Sequence, residues 1–560
     1  MDKKRYDSDS LYGSLRQARR NNGFGPAGWR RRSVLKSLGL MAAGAAVGGP
    51  LSLRGRLAQA DTAGGTLVWG MPAETDILDP HATGGWLTYD VTYQMFEGFA
   101  KENLTDPNVA YPKLEPALAT EWEISDDGVQ YTFKLREGVK FHDGTPFDAA
   151  AAKFNFDRFW NEKSPAFFPK AKGFVGAYTK WIKDVEVLGP MAIKVTLTQP
   201  NYEWLRAGLQ SYGQPLMLSP TAVQKFGNDG IALNPIGTGP FKFVEREQGV
   251  KTVIARNDDY WGRKAKLDRI VFRPLQDPAT RSNALRTGEV HMINTPVWDD
   301  IDGLVKDGFI LTTNKSVPYI YFLYLNMKQG PMQDLRVRQA INMAVDREGI
   351  ARDIYRGTGR PEYGMLSPGT WAYDPSFRSY EYDPDKAKKL MADAGHADGF
   401  KTLYHFPEYG TGTLVQSWIQ RDLKKIGIDV ELKKSEWITY MHDWGGGFPD
   451  EVGIGEIGWG MTVPSWTGIV TRSDSRPPNG LNSGWYDNPK IDELLNKAIA
   501  EPNPDASAKI YREANKQIMA DAAYVPLVDD MQPVLIAPSV KGFVNPPEDW
   551  HDLSTISIES

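Results

Sequence analysis

The sequence predicts a mixed α/β protein of two or three lobes, and three observations predict it. Strand-like and helix-like patterns intermix along the chain instead of segregating. About 500 residues remain behind an N-terminal export segment, more than a single core usually holds. The 41% apolar content is spread without any repeat of roughly 20–50 residues, which argues against a solenoid and leaves no room for a long disordered tract.

Residues 1–60 read as an address. Arg31-Arg32-Ser33-Val34-Leu35-Lys36 has the form of a twin-arginine core, a Gly/Ala/Leu-rich stretch runs from Ser37 to Leu53, and Ala58-Gln59-Ala60 offers a small-x-small cleavage site before Asp61. As an anchor the stretch falls short of the roughly 18 apolar residues a span needs. The reading is a cleavable twin-arginine-type signal peptide delivering a soluble protein to the periplasm. The chain has no Cys, hence no lipoprotein anchor, disulfide or thiol chemistry. The first sixty residues hold 12 Lys and Arg against 3 Asp and Glu, so the remainder carries 53 against 67 and a formal charge near −14. That sign opposes nucleic-acid backbones and anionic lipid surfaces.

Each element follows from a local pattern. Thr66–Trp69 is a short apolar strand. In residues 131–147, Tyr131, Phe133 and Leu135 alternate with Thr132, Lys134 and Arg136, which gives a strand with one apolar face. Gly138 interrupts it, Val139 and Phe141 resume it, and Asp143-Gly144 supplies turn chemistry. Pro146 and Asp148 then open an Ala-rich amphipathic helix ending near Trp160. Val185–Leu188 and Ile193–Leu197 flank Gly189-Pro190 as a hairpin. Residues 334–356 read as two helices with Asp346 as the N-cap between them. Asp383–Ala394, Leu414–Ile426, Ile491–Ala500 and Ala506–Met519 are helices, the last two separated by Pro502 and Pro504, and Ile428–Leu432 is a strand.

The 131–147 segment closely resembles the signature of the family 5 extracytoplasmic solute-binding proteins, which feed peptide, nickel and opine ABC importers. The likeness continues through Asn234-Pro235-Ile236-Gly237-Thr238-Gly239-Pro240-Phe241, Tyr260-Trp261-Gly262, Arg336-Val337-Arg338-Gln339-Ala340, Tyr382-Asp383-Pro384-Asp385-Lys386-Ala387 and Val540-Lys541-Gly542-Phe543. It implies the type II periplasmic-binding-protein-like fold, with two lobes around a ligand cleft and an extra third domain. Domain I would combine 61–93, 236–315 and 530–560, domain II would be 94–235, and domain III 316–529. Two crossings between lobes I and III would form the hinge, and Gly237 and Gly239 beside a crossing suit either a hinge or tight packing.

The motifs of chemistry are weak. Gly453-Ile454-Gly455-Glu456-Ile457-Gly458 satisfies a dinucleotide fingerprint, but Pro464 stops the helix that such a site requires. No P-loop, nucleophile elbow or H-E-x-x-H occurs, and the seven histidines have no helical ligand spacing. No catalytic residue, metal ligand or cofactor is assigned. His405 and His442 fall in the lobe expected to face the cleft, which keeps a nickel or metallophore receptor open as an alternative. A periplasmic cleft hydrolase would need a dyad that is not visible.

In dipeptide- and oligopeptide-binding relatives, an Asp shortly after a Gly-Trp pair holds the peptide ammonium, and dipeptide binders add an Arg after a Pro for the carboxylate. Here Gly458-Trp459 is followed by Gly460-Met461-Thr462-Val463, and Pro407 by Glu408-Tyr409-Gly410-Thr411-Gly412-Thr413, with no arginine before Arg421. Both anchors are missing, and a free dipeptide would bury its two charged ends unpaired. Trp86, Trp371, Tyr409, Trp437, Trp459, Trp466 and Trp485 offer aromatic faces, with core packing the expected fate of most. Trp86, Trp371, Glu408, Tyr409, Trp459 and Met461 are the candidate ligand residues, Glu408 for a cationic group. The resemblance implies a monomeric, non-enzymatic receptor that takes a small-molecule or peptide-like ligand and meets an inner-membrane ABC permease, with no nucleic-acid partner.

Overall fold

Three sheets hold most of the strands. The computed structural model describes residues 64–559 apart from 76, 84–85, 110, 210–214, 315–318, 408–412, 461–462, 478–479, 547 and 549. The export segment therefore lies outside the described residues, as do Glu408, Tyr409, Met461 and the side chains of Trp86 and Trp437.

A four-stranded antiparallel sheet runs Ala119–Ile124, Gln130–Leu135, Ala192–Leu197, Ile182–Gly189. Tyr131, Phe133 and Leu135 are buried and their alternate neighbours face outward. This is the pleat that the alternation predicts. Phe133 meets Phe99 edge-on at 4.8 Å, and helix Ala149–Phe159 covers the sheet with Phe156 and Phe159. Asp148 caps that helix by accepting from the Ala151 amide at 2.8 Å. Val139–Phe141 forms no strand beyond one bridge from Lys140 to Pro146, because the Asp143-Gly144 turn reverses the chain at once.

The seven-stranded sheet draws on three distant parts of the chain. Its order is Ile310–Thr312, Val534–Ile536, Met292–Asn294, Thr66–Met71, Arg269–Pro274, Lys251–Arg256, Phe241–Glu247. Thr66–Met71 is parallel to both of its neighbours, and the remaining pairs are antiparallel.

The six-stranded sheet has the order Gly359–Pro361, Tyr524–Asp530, Tyr319–Leu325, Val452–Gly460, Phe400–Pro407, Ile428–Ser435. Its central strand, Tyr319–Leu325, is apolar at every position. Tyr321, Leu323 and Leu325 enter one core, and Ile320, Phe322 and Tyr324 the other. A strand covered on both faces needs a continuous apolar run, not an alternating one. Helices Leu335–Ala344, Pro384–Asp393 and Leu414–Lys424 lie on one side, and Pro489–Ile499 and Pro504–Ala520 on the other. Asp346 caps the short helix Arg347–Gly349 as expected. Pro504 is the first residue of its helix, not a spacer before it, because Asn503 provides the cap and proline fits the first turn. Among the described residues, no helix is long and apolar enough to cross a membrane.

Candidate functional site

The two large sheets are joined by the chain at two places. Ile310–Thr312 precedes Tyr319–Leu325, and Tyr524–Asp530 precedes Val534–Ile536. At the second crossing Gln532 adopts φ 43°, the Asn314 amide donates to the Met531 carbonyl at 2.8 Å, and the Met531 amide donates to Thr358 at 2.9 Å. The strip beside this crossing is acidic. Buried Asp529 accepts from Arg360, and the Tyr373 hydroxyl donates to buried Glu362 at 3.1 Å. Desolvation raises the pKa of Asp529 and of Glu362, outweighing Arg360. Desolvation also pushes Asp530 up to about 7.

Trp371 sits two residues before Tyr373. Its ring lies 4.9 Å from Tyr111, whose other contact is the Arg206 guanidinium, 4.0 Å from the ring centroid. The Trp371 indole N–H is buried without an acceptor. Trp459 lies on strand Val452–Gly460 with its ring 5.8 Å from Trp444, and its N–H also lacks an acceptor. Trp466 is buried against Tyr178, and Trp485 takes φ 60° beneath Lys328. Trp86 opens helix Trp86–Thr92.

Several sequence candidates are committed elsewhere. Arg421, the first arginine after Pro407, stacks over Trp418 at 3.9 Å and donates to Asp422. Gly453, Gly455 and Gly458 lie on a strand with no helix behind them, and side chains there would collide with Thr402, Phe448 and Tyr319. The fingerprint is therefore a packing pattern. Gly237 and Gly239 lie against the Gln94 and Met95 backbone, which a Cβ at either position would strike. The Gly239 amide donates to Met95 at 2.9 Å, and His142 accepts from the Gly237 amide at 3.3 Å.

His405 is buried, 2.8 Å from the Ser435 hydroxyl and edge-on to Tyr440, and desolvation lowers its pKa. His442 is exposed beside Asp443 at 3.5 Å. Among the described residues, no group of three or more His, Cys, Asp or Glu side chains could hold a metal. Tyr111, Glu203, Glu362 and Asp529 were not legible as site residues, because Trp371 for Tyr111, Tyr511 for Glu203 and the Asp529 neighbour of Glu362 lie more than a hundred positions away.

Against known proteins, the model described as "Bacterial extracellular solute-binding proteins, family 5 Middle" matches residues 113–459. The chain belongs to this family. Its fold is the type II periplasmic binding-protein fold, and its role is that of a non-enzymatic solute-binding protein of the peptide-family ABC importers. The glutathione-binding protein GsiB of Escherichia coli (strain K12) is 30% identical over 468 residues, covering 80% of this chain and 86% of that protein. The ABC transporter-associated periplasmic binding protein DppA of Helicobacter pylori, solved with the peptide STSA, superposes with a TM-score of 0.80 at 30% identity, covering 89% of this chain and 99% of that one. AgaA from A. tumefacien R10, solved with agropinic acid, gives 0.76 at 26% identity, covering 89% and 99%.

Proposed function

We propose that this periplasmic receptor closes the lobe built on the six-stranded sheet against the one built on the seven-stranded sheet, traps a small solute other than a free dipeptide, and delivers it to an inner-membrane ABC permease. The lobes correspond to residues 61–93, 236–315 and 530–560 for domain I, 94–235 for domain II and 316–529 for domain III. The crossings near 313–318 and 531–533 supply the hinge, while Gly237 and Gly239 serve the packing of domain II on domain I. Export uses the twin-arginine signal at Arg31-Arg32.

One observation carries the ligand reading. The first arginine after Pro407, Arg421, is spent on Trp418 and Asp422, and Gly458-Trp459 leads into Gly460 without an acid. A dipeptide zwitterion would then pay desolvation at both ends without its usual partners, several kcal/mol each. Trp371 and Trp459, with unpartnered indole N–H groups, together with Trp86, Glu408, Tyr409 and Met461, are the proposed ligand contacts. Glutathione, named for the GsiB relatives, is a tripeptide whose glutamate is joined through its γ-carboxyl, leaving a second, α-carboxylate free, and it belongs in the test set.

A thermal-shift screen of the purified protein against dipeptides, glutathione, opines, amines, sugars and nickel–histidine tests this. A solute at 100 times its dissociation constant adds about 2.7 kcal/mol of stability. Large shifts from dipeptides alone would refute the ligand reading.

A further inference from the structure

The four-stranded sheet's lobe touches the six-stranded sheet's lobe along a row of contacts. The Tyr202 amide donates to the Ile499 carbonyl at 2.8 Å. Tyr178 packs on Trp466 at 5.6 Å, Tyr111 on Trp371 at 4.9 Å, and the Arg472 guanidinium lies 6.0 Å from the Trp181 ring. Glu203, the residue before helix Trp204–Ala207, belongs to this boundary and faces Tyr511 and Ser465 across it. It is 7% exposed, and neither carboxylate oxygen makes a hydrogen bond of normal geometry. The groups facing it across the boundary are the Tyr511 hydroxyl, also buried and unbonded, and Ser465.

No cation bonds this carboxylate, and the attraction of Arg206 only partly offsets its desolvation. Arg206, the nearest on its own lobe, is held by Glu102 and by the Pro112 carbonyl at 2.7 Å and stacks on Tyr111. Arg472, from the opposite lobe, bonds Asp474 at 2.9 Å. The remaining titratable neighbours, Tyr111, Tyr131 and Tyr511, are all phenols whose ionisation Glu203 itself opposes. The oxygens are closed off from solvent, so no solute cation has room beside them. An ionised carboxylate buried in this way is costly, whereas a neutral one can donate its proton to Tyr511 or Ser465 and accept from the other.

We infer that this boundary is a proton-dependent latch, in which Glu203 takes up a proton as the lobes close and releases it as they open. The inference rests on the lobe motion proposed above. Glu203 is pushed up to about 7 when buried, from an ordinary value of 4.5, by desolvation. The sign follows from linkage. A carboxyl raised in the closed form favours closure most below its open-state value, and the advantage is lost as pH rises through the closed-state value. Closure therefore weakens by up to about tenfold per pH unit between those limits and levels off above them.

The chain has no Cys, so paired spin labels can be placed at will. Labels at Leu188→Cys, exposed on the four-stranded sheet's hairpin, and Glu513→Cys, exposed on helix Pro504–Ala520, report the separation of the two lobes by pulsed dipolar spectroscopy of the unliganded protein. The short-distance population of the labelled parent should rise by roughly tenfold or more relative to the open one from pH 8 to pH 5. In Glu203→Gln it should be high at both. Tyr178→Ala, which weakens the same boundary without touching a proton, should widen the separation at every pH. Unchanged pH dependence in Glu203→Gln overturns the latch. So does a pH-independent parent whose Tyr178→Ala variant still opens, and in that case the lobe motion survives. If neither pH nor Tyr178→Ala alters the separation, the lobe motion fails and the latch with it.

Discussion

His81 and His142, between Asp79 and Phe159, and Glu456, Asp529 and Asp530, between Tyr404 and Asp530, are enclosed ionisable groups that answer to pH in opposite ways. The first segment holds its two histidines as neutral rings and also buries the carboxyls Asp90 and Glu97. His81 is lowered to about 3 by desolvation and by Arg158, and His142 to about 4 by desolvation. The second encloses those three carboxyls besides the buried ring of His405. Glu456 is raised to about 7, and Asp529 and Asp530 are raised with it. A histidine depressed in the fold destabilises it as pH falls below 6.5, because the unfolded chain takes up the proton first. A carboxyl raised in the fold does the reverse, costing stability as pH rises from its unfolded value through its folded one. The two histidines thus favour the fold as pH rises and the three carboxyls as it falls, and each segment carries some of both kinds.

The largest expected effect breaks the first region. Arg158, fully buried, holds Asp79 at 2.6 Å and lies 2.7 Å from the His81 ring nitrogen. Arg158→Ala leaves buried Asp79 without its counter-ion, holding only the His81 amide, and should cost about 3–5 kcal/mol in denaturant unfolding. A loss under ~1 kcal/mol would mean water replaces the guanidinium.

Gly237→Ala drives a Cβ into the Met95 carbonyl, a backbone atom that cannot step aside. It should lower stability by about 1–3 kcal/mol. Unchanged stability with altered solute affinity would instead make Gly237 a hinge.

Glu456→Gln sharpens the contrast. The Tyr404 hydroxyl and Gln416 amide both donate to Glu456, while Gln416 Oε1 has no donor. A glutamine at 456 accepts from Tyr404 and can supply that donor without carrying charge. The variant should gain about 1–3 kcal/mol at pH 8 and nothing near pH 4. Equal effects at both values would show that Glu456 stays ionised.

Smallest is the cap. Asp148→Ala should cost about 1 kcal/mol by thermal melting, as should Asp346→Ala in the other region.

The legible parts of the chain are those whose causes are local. Tyr131, Phe133 and Leu135 announce a half-buried strand by alternation, and Asp148 and Asp346 announce caps. The seven-stranded sheet was harder, because its central pair joins Thr66–Met71 to Arg269–Pro274, and only the family likeness suggested that junction. Glu203 gave no signal at all. Its meaning comes from Tyr511 and Ser465, brought across a lobe boundary by packing. The expectation that the dipeptide anchors are absent comes from the residues after Pro407 and Trp459, a purely local reading. Why Arg421 cannot substitute needed the structure, which turns it onto Trp418 and Asp422.

The central claim is that this receptor does not hold a dipeptide by its charged ends. Calorimetric titration of a mixture of free dipeptides into the purified, ligand-stripped protein tests it most directly. No saturable heat below about 1 mM, corresponding to less than about 4 kcal/mol of binding free energy, is the predicted result. Saturable micromolar binding would contradict it.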